Sequence, residues 1–106
     1  MSSPQSAESL AKLVGSTMFA ADVASKDTMG MELLQCAPGH ARMRMQVRSL
    51  HLNGHGICHG GFIFTLADST FAFACNSHNH SAVAAAASIE FLKPAKLDDV
   101  LTCTGQ

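Results

Sequence analysis

Hydrophobic positions recur at three- and four-residue steps from residue 7 to about 21. Leu10, Leu13, Val14 and Met18 there predict a helix. Ser6 stands before it as an N-cap, and Ser9 three residues on falls short of a full capping box. Residues 1–6 otherwise read as a disordered tail, and 7–106 as one domain. The period then shortens to two. Residues 29–36 and 41–48 read as strands, with Pro38–Gly39 suited to a type II turn between them. In the second strand Met43, Met45 and Val47 share one face, and Arg42, Arg44, Gln46 and Arg48 the other. That arginine row fits either a solvated strand face or a contact with a phosphate-rich cofactor.

Residues 49–59 (SLHLNGHGICH) form a loop, and a helix follows from residue 60 or 61 to about 75. Phe62, Leu66, Phe73 and several alanines leave it almost no polar face, which predicts burial nearly all round against a curved sheet. A polar loop spans 76–81. For residues 82–93 the alanines favour a helix, while Val83, Ile89, Phe91 and the following Pro94 allow a strand. Residues 96–99 make a turn, and 100–106 begin another strand. Four strands are thin cover for so apolar a helix. The expectation is therefore a piece of a longer domain, or strands supplied by a partner.

Composition narrows the class. The net charge of −1 gives no general attraction to nucleic acid or acidic membranes. No apolar run reaches the roughly 20 residues needed to span a bilayer, and the first residues lack a signal-peptide pattern. The four cysteines, Cys36, Cys58, Cys75 and Cys103, show no CxxC spacing and read as reduced thiols of a cytosolic protein. Cys58, in the loop, is also a possible nucleophile.

The chemistry concentrates in NGHGICHGGFIFTLADSTFAFACN, residues 53–76. Glycines suit a tight turn with bare N–H groups opening a helix. Asp68 is the one charged residue in the apolar run that follows, and a lone carboxylate there needs a pairing or a function. His55 and His59 are four apart, with His78 and His80 further on, but the first pair lies in a glycine-rich loop and no Cys or Asp spacing completes a zinc site. No metal is expected. Phe62, Phe64, Phe71 and Phe73 fit core packing or the lining of an aryl pocket.

HGICHGG, then FxLAD, AxACN and SIEFLKPA, resembles the hotdog-fold acyl-CoA thioesterases, and within them the phenylacetate-degradation (PaaI) family. The likeness runs from about Lys12 to Gln106. It implies an α+β hotdog fold: a long central helix wrapped by a curved antiparallel sheet, with 82–93 as a strand and the domain lacking its last strands. It implies hydrolysis of phenylacetyl-CoA or hydroxyphenylacetyl-CoA type thioesters in aromatic catabolism. It also implies a cytoplasmic homodimer, a homotetramer in turn, and no cofactor beyond the CoA of the substrate.

Residue by residue, the backbone N–H at Gly60, beside His59, would polarise the thioester, and Asp68 would activate water or attack to form an anhydride. Asn53 would orient water or carbonyl. Gly61, Phe62, Ala84 and Ala85 would touch substrate. Geometry adds a constraint: eight residues of helix separate Gly60 from Asp68 by about 12 Å along the axis. Attacking atom and oxyanion donor must both lie about 3 Å from one carbonyl group. Two antiparallel copies meet that demand and one helix does not, so shared sites in a two-fold dimer are expected. Alternatives are hydratase or dehydratase chemistry on acyl-CoA with His59 and Asp68 as the acid–base pair, a non-catalytic acyl-CoA-binding module, or an inactive fragment.

Overall fold

A computed structural model describes residues 6–77 and 94–105. Among these residues two α-helices pack on one face of a three-stranded antiparallel sheet. Helix α1 (Ala7–Ala21) starts where Ser6 accepts a hydrogen bond from the N–H of Ser9. Strands β1 (Glu32–Ala37) and β2 (His40–Gln46) form a hairpin, and β3 (Val100–Gly105) pairs antiparallel with β2. Gly39 turns the hairpin with φ of +67°, a conformation that glycine adopts without steric cost. Helix α2 (Gly60–Asn76) lies between β2 and β3 in sequence and against both in space.

The period-two pattern of β2 is realised fully. Ala41, Met43, Met45 and Val47 are buried, and Arg42, Arg44, Gln46 and Arg48 are exposed. The arginine row therefore faces solvent. Arg44 pairs with Glu32 of β1 at 2.8 Å, and Arg48 reaches the carbonyl of Thr28 at 3.3 Å. The methionines meet Leu66, Phe73 and Ala74 of α2 in the core.

Three expectations need correction. Strand β1 begins at Glu32 rather than residue 29, because a single turn of π-helix, Ala24–Thr28, occupies the approach and carries Met29 and Met31 into the core. Leu13 is 56% exposed, and the contact face of α1 is centred on buried Ala11 and Gly15. Helix and strand come so close that a Cβ on Gly15 would sit 2.7 Å from Cβ of Cys36. Small residues are required there, and a leucine is displaced to the outside. Among the described residues helix α2 is not buried all round: Leu66, Ser69, Thr70, Phe73, Ala74 and Asn76 are buried, whereas Gly61, Asp68 and Phe71 are exposed. Most of residues 1–6, the loop after α2 and the strand expected over 82–93 lie outside the described residues. Among the described residues no helix is long and apolar enough to cross a membrane.

Candidate active site

Residues 51–59 form a small hairpin that ends at α2. The N–H of Asn53 donates to the carbonyl of Ile57 at 2.8 Å, and the N–H of His59 to the carbonyl of His51 at 2.8 Å. Leu52 and Cys58 form the bridge between these pairs. Gly56, at φ +76°, turns the tip, and its N–H donates to the carbonyl of Asn53. A further bond from Cys58 N–H to Ala95 O, 2.7 Å long, ties the hairpin to the stretch before β3. A nine-residue loop is thereby made rigid by its own backbone.

His59 is the N-cap of α2. Its Nδ1 accepts from the N–H of Gly61 at 3.3 Å, so in the neutral ring the proton sits on Nε2. The N–H of Gly60 makes no hydrogen bond within the described residues. Helix starts leave such donors without an intrahelical partner, and the macrodipole aims positive potential at them. Glycine at this position presents the N–H with no side chain over it.

Asn53 is committed differently. Its Oδ1 accepts from the N–H of His55 at 2.9 Å and that of Ile57 at 3.4 Å. The oxygen therefore organises the loop, and the side-chain NH2 makes no hydrogen bond among the described residues. Cys58 is buried, and burial pushes its thiol above the ordinary range, away from the thiolate a nucleophile requires.

Asp68 lies two turns into α2, on the exposed face, and makes no hydrogen bond or ion pair with any described residue. The expectation of a carboxylate enclosed in an apolar run is thus corrected: the protomer alone leaves it open. Its neighbour Ser69 points the other way. Ser25 Oγ donates to Asp22 Oδ2 at 2.8 Å, which leaves Ser69 as the donor in the 2.9 Å Ser69–Ser25 contact. This buried chain fastens the middle of α2 to the π turn.

The phenylalanines divide between surfaces instead of forming one cluster. Phe73 is in the core, 6.2 Å from the Phe19 ring, and Phe71 is 48% exposed on the Asp68 side. Phe62 sits between His51 and His59, with ring centroids 4.9 and 6.4 Å away. Ala84 and Ala85 lie outside the described residues. Sequence reasoning passed over His51, which is completely buried. No periodic signal marked it: the alternation ends at Val47, Ser49 is exposed, and the short 3-10 turn Ser49–His51 brings the histidine inward.

The model of the thioesterase superfamily matches residues 55–106, which hold the second half of the hairpin, all of α2 and β3. The acyl-coenzyme A thioesterase PaaI of Escherichia coli K12 is 44% identical over 89 residues, 84% of this chain and 63% of that protein. The solved structure of E. coli PaaI, from the phenylacetic acid degradation operon, superposes with a TM-score of 0.90 at 40% identity, covering 93% of this chain and 71% of that one. The chain belongs to the thioesterase superfamily. A hypothetical thioesterase protein of Streptococcus pneumoniae TIGR4, solved with coenzyme A, is 37% identical with a TM-score of 0.66, over 69% of this chain and 59% of that one. The hotdog-type fold expected from the motifs is the fold of this superfamily member. The chain spans under two thirds of the E. coli thioesterase's length.

Proposed function

We propose that this protein hydrolyses acyl-CoA thioesters to the free acid and CoA. The observation that carries the reading is one helix with a Gly60 N–H unpartnered among the described residues at its start and an open carboxylate, Asp68, two turns on. Thioester hydrolysis needs those two groups: a donor where charge develops on the carbonyl oxygen, and a carboxylate to deliver the attacking oxygen. Asp68 takes a proton from water, the water oxygen adds to the carbonyl carbon, and the C–S bond breaks. Sulfur leaves as CoA thiolate. Gly60 N–H, with the exposed His59 Nε2–H beside it, stabilises the oxyanion. Attack by Asp68 itself, through an anhydride, uses the same placement.

The two groups belong to one helix and lie about 12 Å apart along it, so the reading includes a two-fold homodimer in which Gly60 of one copy serves Asp68 of the other. The open face of α2, with Gly61, Asp68 and Phe71 exposed, supports it. Phenylacetyl-CoA type substrates are a finer proposal, supported by the likeness to PaaI of the E. coli phenylacetic acid degradation operon; a cytoplasmic setting and a homotetramer are proposed from the motif resemblance alone.

Release of free thiol from phenylacetyl-CoA tests the reading. Asp68→Asn should lose about 10²-fold or more in kcat while keeping its melting temperature. Undiminished turnover in that variant would overturn the assignment. Loss of an enoyl-CoA chromophore without thiol release would favour hydratase chemistry instead.

A further inference from the structure

The hairpin that delivers Gly60 is fastened beside the end of β2 by backbone bonds, His51 N–H to Arg48 O at 2.9 Å among them, and by one imidazole. His51 is 0% exposed, and among the described residues its Nε2 has no hydrogen-bond partner. Native proteins rarely leave a buried polar atom unsatisfied, because the desolvation is uncompensated. An aliphatic or phenyl side chain would fill the same space without that penalty, so the imidazole must offer something else.

Its other contacts show what. Nδ1 accepts from the backbone N–H of Arg48 at 2.9 Å, which holds the neutral ring with its proton on Nε2. The His51 carbonyl accepts from His59 N–H at 2.8 Å. The ring packs 4.9 Å from Phe62, and Phe62 N–H donates to His59 O at 3.0 Å. Gly60 lies between the two residues that His51 touches. Arg48 itself follows Val47, whose N–H donates to the carbonyl of Asp99 and whose carbonyl accepts from the N–H of Asp98, just before β3. A continuous path therefore runs from the end of the central strand, through the imidazole, to both sides of the Gly60 amide.

We propose that His51 is a positioning residue for the hydrolysis. Its ring, locked in one orientation by the Arg48 amide, sets the direction in which the Gly60 N–H points at the thioester oxygen. This rests on the thioesterase reading above, but half of its test does not need turnover.

Two variants separate positioning from bulk packing. His51→Phe keeps the ring against Phe62 and deprives Arg48 N–H of its acceptor. In His51→Asn the side-chain oxygen takes the place of Nδ1. With phenylacetyl-CoA, His51→Phe should lower kcat about tenfold or more at nearly unchanged KM, as small displacements of reacting groups do. His51→Asn should restore most of kcat. Amide NMR should show the Gly60 N–H resonance displaced in His51→Phe and returned toward wild type in His51→Asn. Wild-type kcat in His51→Phe, or losses in both variants that follow the folded fraction, would overturn the inference. An unmoved Gly60 resonance would do so too. If the wild-type chain hydrolyses nothing, the thioesterase reading fails by itself, and the amide shifts still decide whether His51 orients Gly60.

Discussion

At the scale of single residues, the site depends on which donors are already used. His59 takes up the Gly61 N–H and, among the described residues, leaves that of Gly60 without an acceptor, so the cap and the proposed oxyanion donor are adjacent amides of one helix start. His59→Ala removes the cap without touching Gly60. Helix stability should fall by about 0.5–1 kcal/mol, read as a lower urea midpoint with the slope unchanged. His51 adds a pH dependence. Burial, reinforced by the charge of Arg48, holds it below the usual histidine range. The unfolded chain protonates this ring near pH 6.5, whereas the folded chain does so only at lower pH. Between the two values the unfolded state binds more protons, so stability falls as pH drops below about 6.5 and the loss is absent above it. Urea midpoints across that range should fall more steeply in wild type than in His51→Asn. Parallel curves would show that His51 carries no such linkage.

Elements are decided by how closely they approach one another. Gly15 of α1 meets Cys36 of β1 with no room for a Cβ. Gly15→Ala should therefore destabilise the fold by about 1–3 kcal/mol through overpacking, despite alanine's better helix propensity. Ser16→Ala, one position on and exposed, should change little; a stabilised Gly15→Ala in thermal melts would contradict the close packing. The same contact explains what could be read from the sequence. Both ends of α1 were legible because the Ser6 cap and the three- and four-residue spacing are local signals. Its contact face was not, because Leu13 looks like core until the separation from β1 is known. The alternation of Met43, Met45 and Val47 needed no tertiary knowledge, and β2 follows it. The π turn at 24–28 was illegible, since it is secured by Ser25 bonding to Ser69, forty-four residues away. At the site, glycines and Asp68 stood out by type and spacing. The work of Asn53 and His51 became visible only with the hairpin closed around them.

For the whole molecule, the decisive feature is that α2 buries one face against the sheet and leaves Asp68 on the other. An apolar helix with a half-exposed Phe71 beside a carboxylate is suited to meet a second copy related by a two-fold axis. The shared-site reading then makes a quantitative claim. Gly60→Pro deletes the one N–H that matters. Proline is tolerated at the first helical position, and His59, at φ −61° and ψ 130°, already has the extended backbone that a following proline requires. Asp68→Asn deletes the other half of the chemistry. Each variant alone has no intact site. After subunit exchange in an equal mixture, half of the dimers are mixed, and in each of these one site holds a wild-type Gly60 from one chain and a wild-type Asp68 from the other. Thiol release should return to about a quarter of the wild-type rate by the symmetry of a two-site dimer. If both groups acted within one protomer, the Asp68→Asn chain would lack its base and the Gly60→Pro chain its donor. No mixture would then exceed its components. Recovered activity that rises with time of exchange, and with total protein concentration, would place the two residues on opposite sides of one site.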